Sequence, residues 1–171
     1  MKNPGSPATN PLPYTDTKPV GAADFYFAIN ATFRFVLARH GIEGLRRYWT
    51  DMGAGYYRPV MERWKEGLPS VAEYWREFFK AEPGAKAEVA ETPDAVTLNV
   101  QVCPAIKHLR DHGREIVPCF CQHCHFVSEA IAAPAGLTVR VSGGNGSCTQ
   151  RFAKREGCPE PQRIGDIREA L

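Results

Sequence analysis

Residues 95–104 read AVTLNVQVCP, and this stretch predicts both a strand and the start of a helix. Apolar side chains at positions 96, 98, 100 and 102 alternate with polar ones, which is the pattern of a strand with one buried face. Pro104 predicts the first residue of a helix. The N–H group at that position has no hydrogen-bond partner within the helix, so a proline there removes no hydrogen bond. The sequence therefore predicts a strand that passes at Cys103 directly into a short helix, which ends near Gly113.

The same two patterns continue on both sides of this stretch. The turn Thr92-Pro93-Asp94 predicts that residues 85–91 form the hairpin partner of the strand. After the short helix, helical spacing returns and stops at Pro134 and Gly136, and two alternating stretches follow. The predicted elements are, in order, strands over 85–91 and 95–102, helices over 104–112 and 121–133, and strands over 137–141 and 148–152.

The first half of the chain is helical and rich in aromatic side chains. Ser70-Val71-Ala72-Glu73 has the pattern of a capping box, which predicts a helix start at Ser70. The apolar face behind it consists of Val71, Tyr74, Trp75, Phe78 and Phe79. We interpret these aromatic side chains as core, with the lining of a ligand pocket as the alternative.

The order of the elements predicts an α+β protein: a helical N-terminal half packed on a four-stranded antiparallel sheet with β-β-α-α-β-β order. Residues 21–153 are predicted to form a single domain, with a helical half over 21–82 and a Cys/His-rich sheet half over 85–153. Residues 1–20 contain five prolines and are predicted to be an arm, through which the protein could form homo- or hetero-oligomers. Residues 154–171 are predicted to be a polar tail.

Composition narrows the classes of function. With 171 residues, of which 43% are hydrophobic, the chain can bury the core of one domain. A net charge of +2 without a basic stripe argues against a nucleic-acid partner, and no apolar run is long enough for a membrane span. The first residues show no apolar signal core, so we expect a cytoplasmic protein, in which clustered cysteines are metal ligands or catalytic groups more often than disulfides.

Residues 119–125 read CFCQHCH and concentrate the two side chains that bind borderline metals and act as nucleophile and base. Cys121, Cys124 and His125 are spaced i, i+3 and i+4, so they would share one face of a helix. The N-terminus of that helix favours a thiolate over a thiol. Cys103 and Cys148 stand at predicted element ends, which can converge on one edge of a sheet. The predicted metal ligands are Cys103, Cys119, Cys121, Cys124 and Cys148.

Several chemistries fit this constellation. Zinc bound by four thiolates, or by three thiolates and an imidazole, is one, and an iron–sulfur cluster is another. Residues 121–125 also match the C-x-x-C-H pattern of covalent haem, but haem attachment in bacteria takes place in an exported compartment, so haem c is disfavoured. Inert buried cysteines are the structural alternative.

A nucleophilic cysteine is a further alternative at the same residues. Cys121 would be the nucleophile, with His125 or His123 as its base. Glu129 lies one helical turn beyond His125 and could orient that ring or serve as an acid. The predicted catalytic residues are therefore Cys121, His125 and Glu129.

A set of spaced residues in the second half resembles the family named for L-2-amino-thiazoline-4-carboxylic acid hydrolase, which is related in outline to vinyl-4-reductase domains. The set consists of Val102-Cys103-Pro104, Cys121, Arg140, Gly146, Cys148 and Phe152, and it covers about a third of the chain. The resemblance singles out Cys103, Cys121 and Cys148, and it implies hydrolytic ring opening of a small sulfur heterocycle. Two features depart from the family pattern: Cys124 stands where the family tends to have Asp, which favours a softer metal or a cluster, and the spacing from Arg140 to Cys148 is shorter.

The expected function is therefore that of a small hydrolase or lyase acting on a C–N or C–S bond of a small-molecule substrate. The alternative is a metal-binding or iron–sulfur-binding module for electron transfer, sensing or ligand binding. The surplus of cysteines favours the alternative, because a nucleophilic mechanism needs one thiol and this chain has four or five near one another in sequence.

Overall fold

The computed structural model describes residues 23–158 and 160–171, so the arm predicted over 1–20 lies outside the described residues. Three helices come first, then a hairpin, two more helices and three strands. The elements are α1 (Phe25–Gly55), α2 (Arg58–Trp64), α3 (Leu68–Ala81), β1 (Lys86–Thr92), β2 (Ala95–Val102), α4 (Pro104–Asp111), α5 (Gln122–Ala132), β3 (Leu137–Gly144), β4 (Ser147–Lys154) and β5 (Ile167–Arg168).

The strands form one mixed sheet with the order β1-β2-β4-β3-β5. The first four strands pair antiparallel, whereas β5 runs parallel to β3 and pairs Ile167 with Gly143. The α+β class is confirmed, but the predicted four-stranded antiparallel sheet and its order are wrong. The added strand lies in the segment predicted as a polar tail, and its two residues are too few to show alternation in sequence.

The strand over 95–102 forms as its alternation predicts. Val96, Leu98 and Val100 are buried, while Asn99 is exposed on the opposite face. Cys103 has extended backbone dihedrals and caps α4, which begins at Pro104. The handover from strand to helix thus places Cys103 at one end of the sheet.

The helices cover one face of the sheet. Helix α5 packs between α1 and β3, and α3 crosses β1 and β2. Helices α1 and α5 approach closely at Gly53, where an added Cβ would lie 2.6 Å from the carbonyl oxygen of Val127. Trp49 and Trp64 are fully buried, and on the predicted face of α3 Val71 belongs to the core while Tyr74, Trp75 and Phe79 pack against it. None of the helices in the described part of the chain is long and apolar enough to cross a membrane.

The start of α3 differs from the sequence prediction. The helix begins at Leu68, so Ser70 is its third residue, and the predicted capping box is wrong. The Ser70 hydroxyl instead lies 2.7 Å from the carbonyl oxygen of Arg63 and 3.0 Å from that of Gly67. Pro69 in the first turn favours the earlier start, because proline there removes no helical hydrogen bond.

Candidate functional site

Four cysteines line one small cavity between α4, α5 and the end of the sheet. We call this space the thiol cavity; its lining consists of Cys103, Phe120, Cys121, His123, Cys124, Val141, Gly144, Gly146, Ser147 and Cys148. Its volume is about 20 Å³. This volume counts the space open to the centre of a water molecule, and a cavity needs roughly 10–15 Å³ of it to hold one water. The thiol cavity therefore accommodates about one water-sized atom.

The ends of four different elements bring the thiols together. Cys103 caps α4, and Cys121 ends the 3₁₀ turn Pro118–Cys121 that precedes α5. Cys124 lies in the first turn of α5. Cys148 is the second residue of β4, opposite Val100 on β2 and Gly143 on β3. Cys103, Cys121 and Cys148, the three cysteines predicted at element ends, line the same cavity as Cys124.

The tight turn between β3 and β4 closes the thiol cavity. Asn145 has a left-handed backbone (φ 57°), and its N–H donates to the Cys121 sulfur over 3.3 Å. The carbonyl oxygen of Gly146 accepts a 2.8 Å hydrogen bond from the Cys103 N–H. Arg110 holds the turn from α4, since its guanidinium donates to both the backbone and the side-chain oxygen of Asn145. The turn thus brings a backbone donor to the Cys121 sulfur.

Burial governs the protonation of the four thiols. It raises the pKa of Cys103 and of Cys124 to about 12 and that of Cys121 to about 11, and it raises the pKa of Cys148 as well. The backbone N–H groups of Asn145 and Gly146 lower the pKa of Cys121 only in part. At neutral pH all four groups are therefore neutral thiols, and the helix N-terminus that was expected to favour a thiolate at Cys121 is outweighed by desolvation.

His123 is the imidazole that faces the thiol cavity. Its Nδ1 lies 2.6 Å from the carbonyl oxygen of Phe120, which can only accept, so Nδ1 carries the proton. Nε2 is left as an acceptor 3.8 Å from the Cys124 sulfur. Burial lowers the pKa of His123, which keeps the ring neutral.

His125 does not line the thiol cavity. The ring is buried, packs edge-on against Phe126 at 5.1 Å between centroids, and its Nδ1 has no hydrogen-bond partner in the described part of the chain. Burial lowers the pKa of His125, and the neighbouring Glu129 opposes that shift only partly. His125 is thus a neutral ring between α5 and β3.

Glu129 joins α5 to β3 instead of facing the thiols. One carboxylate oxygen accepts from the Thr138 hydroxyl at 2.9 Å and from the Val139 N–H at 2.8 Å, and the other accepts from Arg155 at 2.6 Å. Burial alone would raise the pKa of Glu129, but these three donors outweigh it and lower the pKa. The Glu129 carboxylate thus holds α5 against β3.

Two further residues from the sequence prediction lie elsewhere. Cys119 is buried in the same 3₁₀ turn as Cys121 but does not line the cavity. Arg140 donates to the carbonyl oxygens of Val139 at 2.9 Å and Cys158 at 3.1 Å.

A larger groove of about 430 Å³, lined by Phe27, Arg34 and Arg114 among others, contains none of the cysteines.

Gln150 is a functional candidate that the sequence reasoning missed. It is buried in β4, and its amide nitrogen lies 3.9 Å from the Cys148 sulfur. The signal was present: Gln150 occupies an inward position of the strand between Cys148 and Phe152, where alternation calls for an apolar side chain.

The side chains as they stand do not form a closed coordination shell. Among the described residues, no three His, Cys, Asp or Glu side chains are grouped so that they could hold a metal ion. All six cysteines are free thiols. A cysteine has a single side-chain torsion, so metal binding in the thiol cavity requires rotation of some of the four thiols into another staggered well.

In comparisons with known proteins, no family model matches the chain and no curated protein matches it. The resemblance to the thiazoline-carboxylate hydrolase family therefore rests on the spaced residues alone, and the hydrolytic activity that it implies stays a prediction.

Proposed function

We propose that the protein is a metal-binding module that holds one thiophilic divalent ion, such as zinc, in the thiol cavity. The ligands would be Cys103, Cys121, Cys124 and Cys148. The observation that carries this proposal is the convergence of four thiols from four element ends on one space of about 20 Å³. Thiolate is the ligand that structural zinc sites use most, in tetrahedral sets of four donors.

The size of the cavity favours a single ion over the other cofactors considered from sequence. Zinc lies about 2.3 Å from each sulfur of a four-thiolate site, so it fills the gap between the sulfur atoms and needs little further room. An iron–sulfur cluster adds several iron and sulfide atoms, and a haem adds a whole macrocycle. Neither group fits into a space of about 20 Å³, so both would require a larger cavity.

Proton release would accompany the binding of the ion. Each ligand must lose its proton, and the positive charge of zinc compensates the burial that keeps the free thiols neutral. The Asn145 N–H already points at the Cys121 sulfur, so one thiolate would receive a hydrogen bond without rearrangement of the turn. We therefore expect the affinity for zinc to fall steeply as the pH falls.

Elemental analysis of the purified protein and titration of its metal-free form with Co²⁺ test the proposal. We expect one ion per chain, with visible bands typical of tetrahedral cobalt and a sulfur-to-cobalt charge-transfer band in the near ultraviolet. Serine substitution of each cavity cysteine should weaken binding and reduce the charge-transfer band. The matched control is Cys119→Ser, a buried cysteine outside the cavity, which should leave both unchanged. A wild-type chain that binds neither zinc nor cobalt contradicts the proposal.

The pair formed by Cys124 and His123 supports a second candidate, a hydrolase or lyase in which Cys124 replaces Cys121, the nucleophile predicted from sequence, and His123 is the base. Nε2 of His123 could take the proton of the Cys124 thiol 3.8 Å away, the sulfur would attack an electrophilic carbon, and the ring would then protonate the leaving nitrogen or sulfur. The raised pKa of Cys124 means that this nucleophile is not ionised in advance. The cavity would also have to open to admit a substrate.

This second candidate requires covalent chemistry at Cys124. Incubation with a small thiazoline carboxylate should give ring-opened product and a transient adduct on Cys124, detectable by mass spectrometry after rapid quenching. His123→Gln should slow adduct formation, whereas Cys119→Ser should not. Turnover that is unaffected by Cys124→Ser would exclude the mechanism.

A further inference from the structure

Gln150 lies at an unusual place for an amide. β4 is the middle strand of the sheet, and the cross-strand partners of Gln150 are Leu98 on β2 and Val141 on β3. Both neighbours are buried apolar side chains, and Gln150 itself is only 3% exposed. An apolar side chain at this position would continue the core between Leu98 and Val141.

The amide is only partly satisfied by hydrogen bonds. Its nitrogen donates to the Cys148 sulfur over 3.9 Å, and its oxygen has no partner in the described part of the chain. A neutral thiol is a weak acceptor, so this bond compensates little of the desolvation of the amide. We therefore expect Gln150 to destabilise the metal-free fold relative to an apolar residue of similar size.

We propose that Gln150 is a positioning residue that holds the Cys148 thiolate in place for the metal ion. When Cys148 binds the ion its sulfur becomes anionic, and the N–H···S bond becomes charge-assisted and shorter. Groups that donate to a ligand atom orient it and tune the metal, and their loss weakens binding on the order of 10- to 100-fold. Gln150 thus costs stability without the ion and contributes to affinity with it. The inference rests on the metal-binding function proposed above.

The substitution Gln150→Leu separates this role from a structural one. If Gln150 positions Cys148, the stability of the metal-free protein stays the same or rises, whereas the affinity for zinc falls. The metal-free variant should unfold at the same urea midpoint as the wild type or at a higher one. Its affinity for zinc, measured by competition with a chelator, should fall on the order of 10-fold. A merely structural Gln150 would instead lower the midpoint. Gln150→Met, which keeps the length and flexibility of the side chain, gives the same test should the branched leucine disturb folding.

Leu98→Val is the matched control. It shortens the apolar side chain directly opposite Gln150 and leaves the amide in place. We expect it to lower the urea midpoint of the metal-free protein while zinc affinity stays within about twofold, since the ligands and their donors are untouched. Unchanged zinc affinity in both Gln150 variants overturns the inference and leaves the proposed function standing. A wild-type chain that binds no zinc overturns both.

Discussion

Removal of the Glu129 carboxylate should destabilise the protein by about 3 kcal/mol without altering the thiol cavity. In Glu129→Ala, the Val139 N–H loses its acceptor inside the sheet, and a buried unpaired donor costs about 1–3 kcal/mol. The Thr138 hydroxyl, which is fully buried, loses its acceptor too. The ion pair with Arg155 adds only about 0.5 kcal/mol, because the Arg155 side chain is 48% exposed. Glu129→Gln keeps an oxygen for Val139, so we expect a loss of only about 1 kcal/mol.

The dependence on pH gives a second check on Glu129. The folded pKa of Glu129 lies below its ordinary value of 4.5. The ionised carboxylate therefore makes its full contribution to the free energy of unfolding above pH 4.5. The contribution is lost as the pH falls through the lower, folded pKa. The difference in unfolding free energy between wild type and Glu129→Gln should therefore be constant near neutral pH and shrink in acid.

Urea unfolding followed by tryptophan fluorescence is the assay, since Trp49 and Trp64 are buried in the fold and exposed on unfolding. The control is Glu156→Ala at an exposed glutamate, which should change stability by less than about 0.5 kcal/mol. A Glu129→Ala variant as stable as the control would show that the Val139 N–H and the Thr138 hydroxyl do not depend on this carboxylate. Loss of zinc binding in a folded Glu129→Gln variant would show that Glu129 acts on the thiol cavity, although the sequence predicted it only as a catalytic residue beside His125.

Three further predictions concern the thiols, the helix contact and the last strand. In the metal-free protein, iodoacetamide should label Cys121 slowly at neutral pH, and the labelling rate should rise up to a pH near the Cys121 pKa of about 11. Rapid labelling at neutral pH would contradict a buried thiol. Gly53→Ala should destabilise the fold by about 1–3 kcal/mol through the clash with Val127. In contrast, Gly55→Ala, with nothing within 4 Å of the new Cβ, should be neutral or stabilising in thermal unfolding. Ile167→Ala should cost about 2–4 kcal/mol in urea unfolding if β5 is part of the core, and no change would show that it is not.

Whether a site residue could be predicted depends on whether its position follows from the residues next to it in the sequence. Cys103, Cys121 and Cys148 could be grouped from sequence because each stands at an element end that periodicity locates. Cys124 joined them through its helical spacing from Cys121, but the same reasoning also included Cys119, which does not line the cavity. The imidazole could not be chosen in the same way. Cys121 lies in a 3₁₀ turn with three residues per turn, and α5 begins only at Gln122, so the i, i+4 rule does not carry from Cys121 to His125. His123 faces the cavity instead.

Patterns in the sequence predict the α+β class, the strand over 95–102 and the start of α4 at Pro104, because alternation and proline geometry act over a few neighbouring residues. The packing of segments distant in sequence produces the parallel strand β5, the separation of Glu129 from the thiols and the raised pKa of those thiols. A two-residue strand has no period to detect, and desolvation depends on every element that packs around a group. The stretch AVTLNVQVCP thus placed Cys103 at the end of a strand, whereas packing from α4, α5 and the β3–β4 turn made that end a cavity.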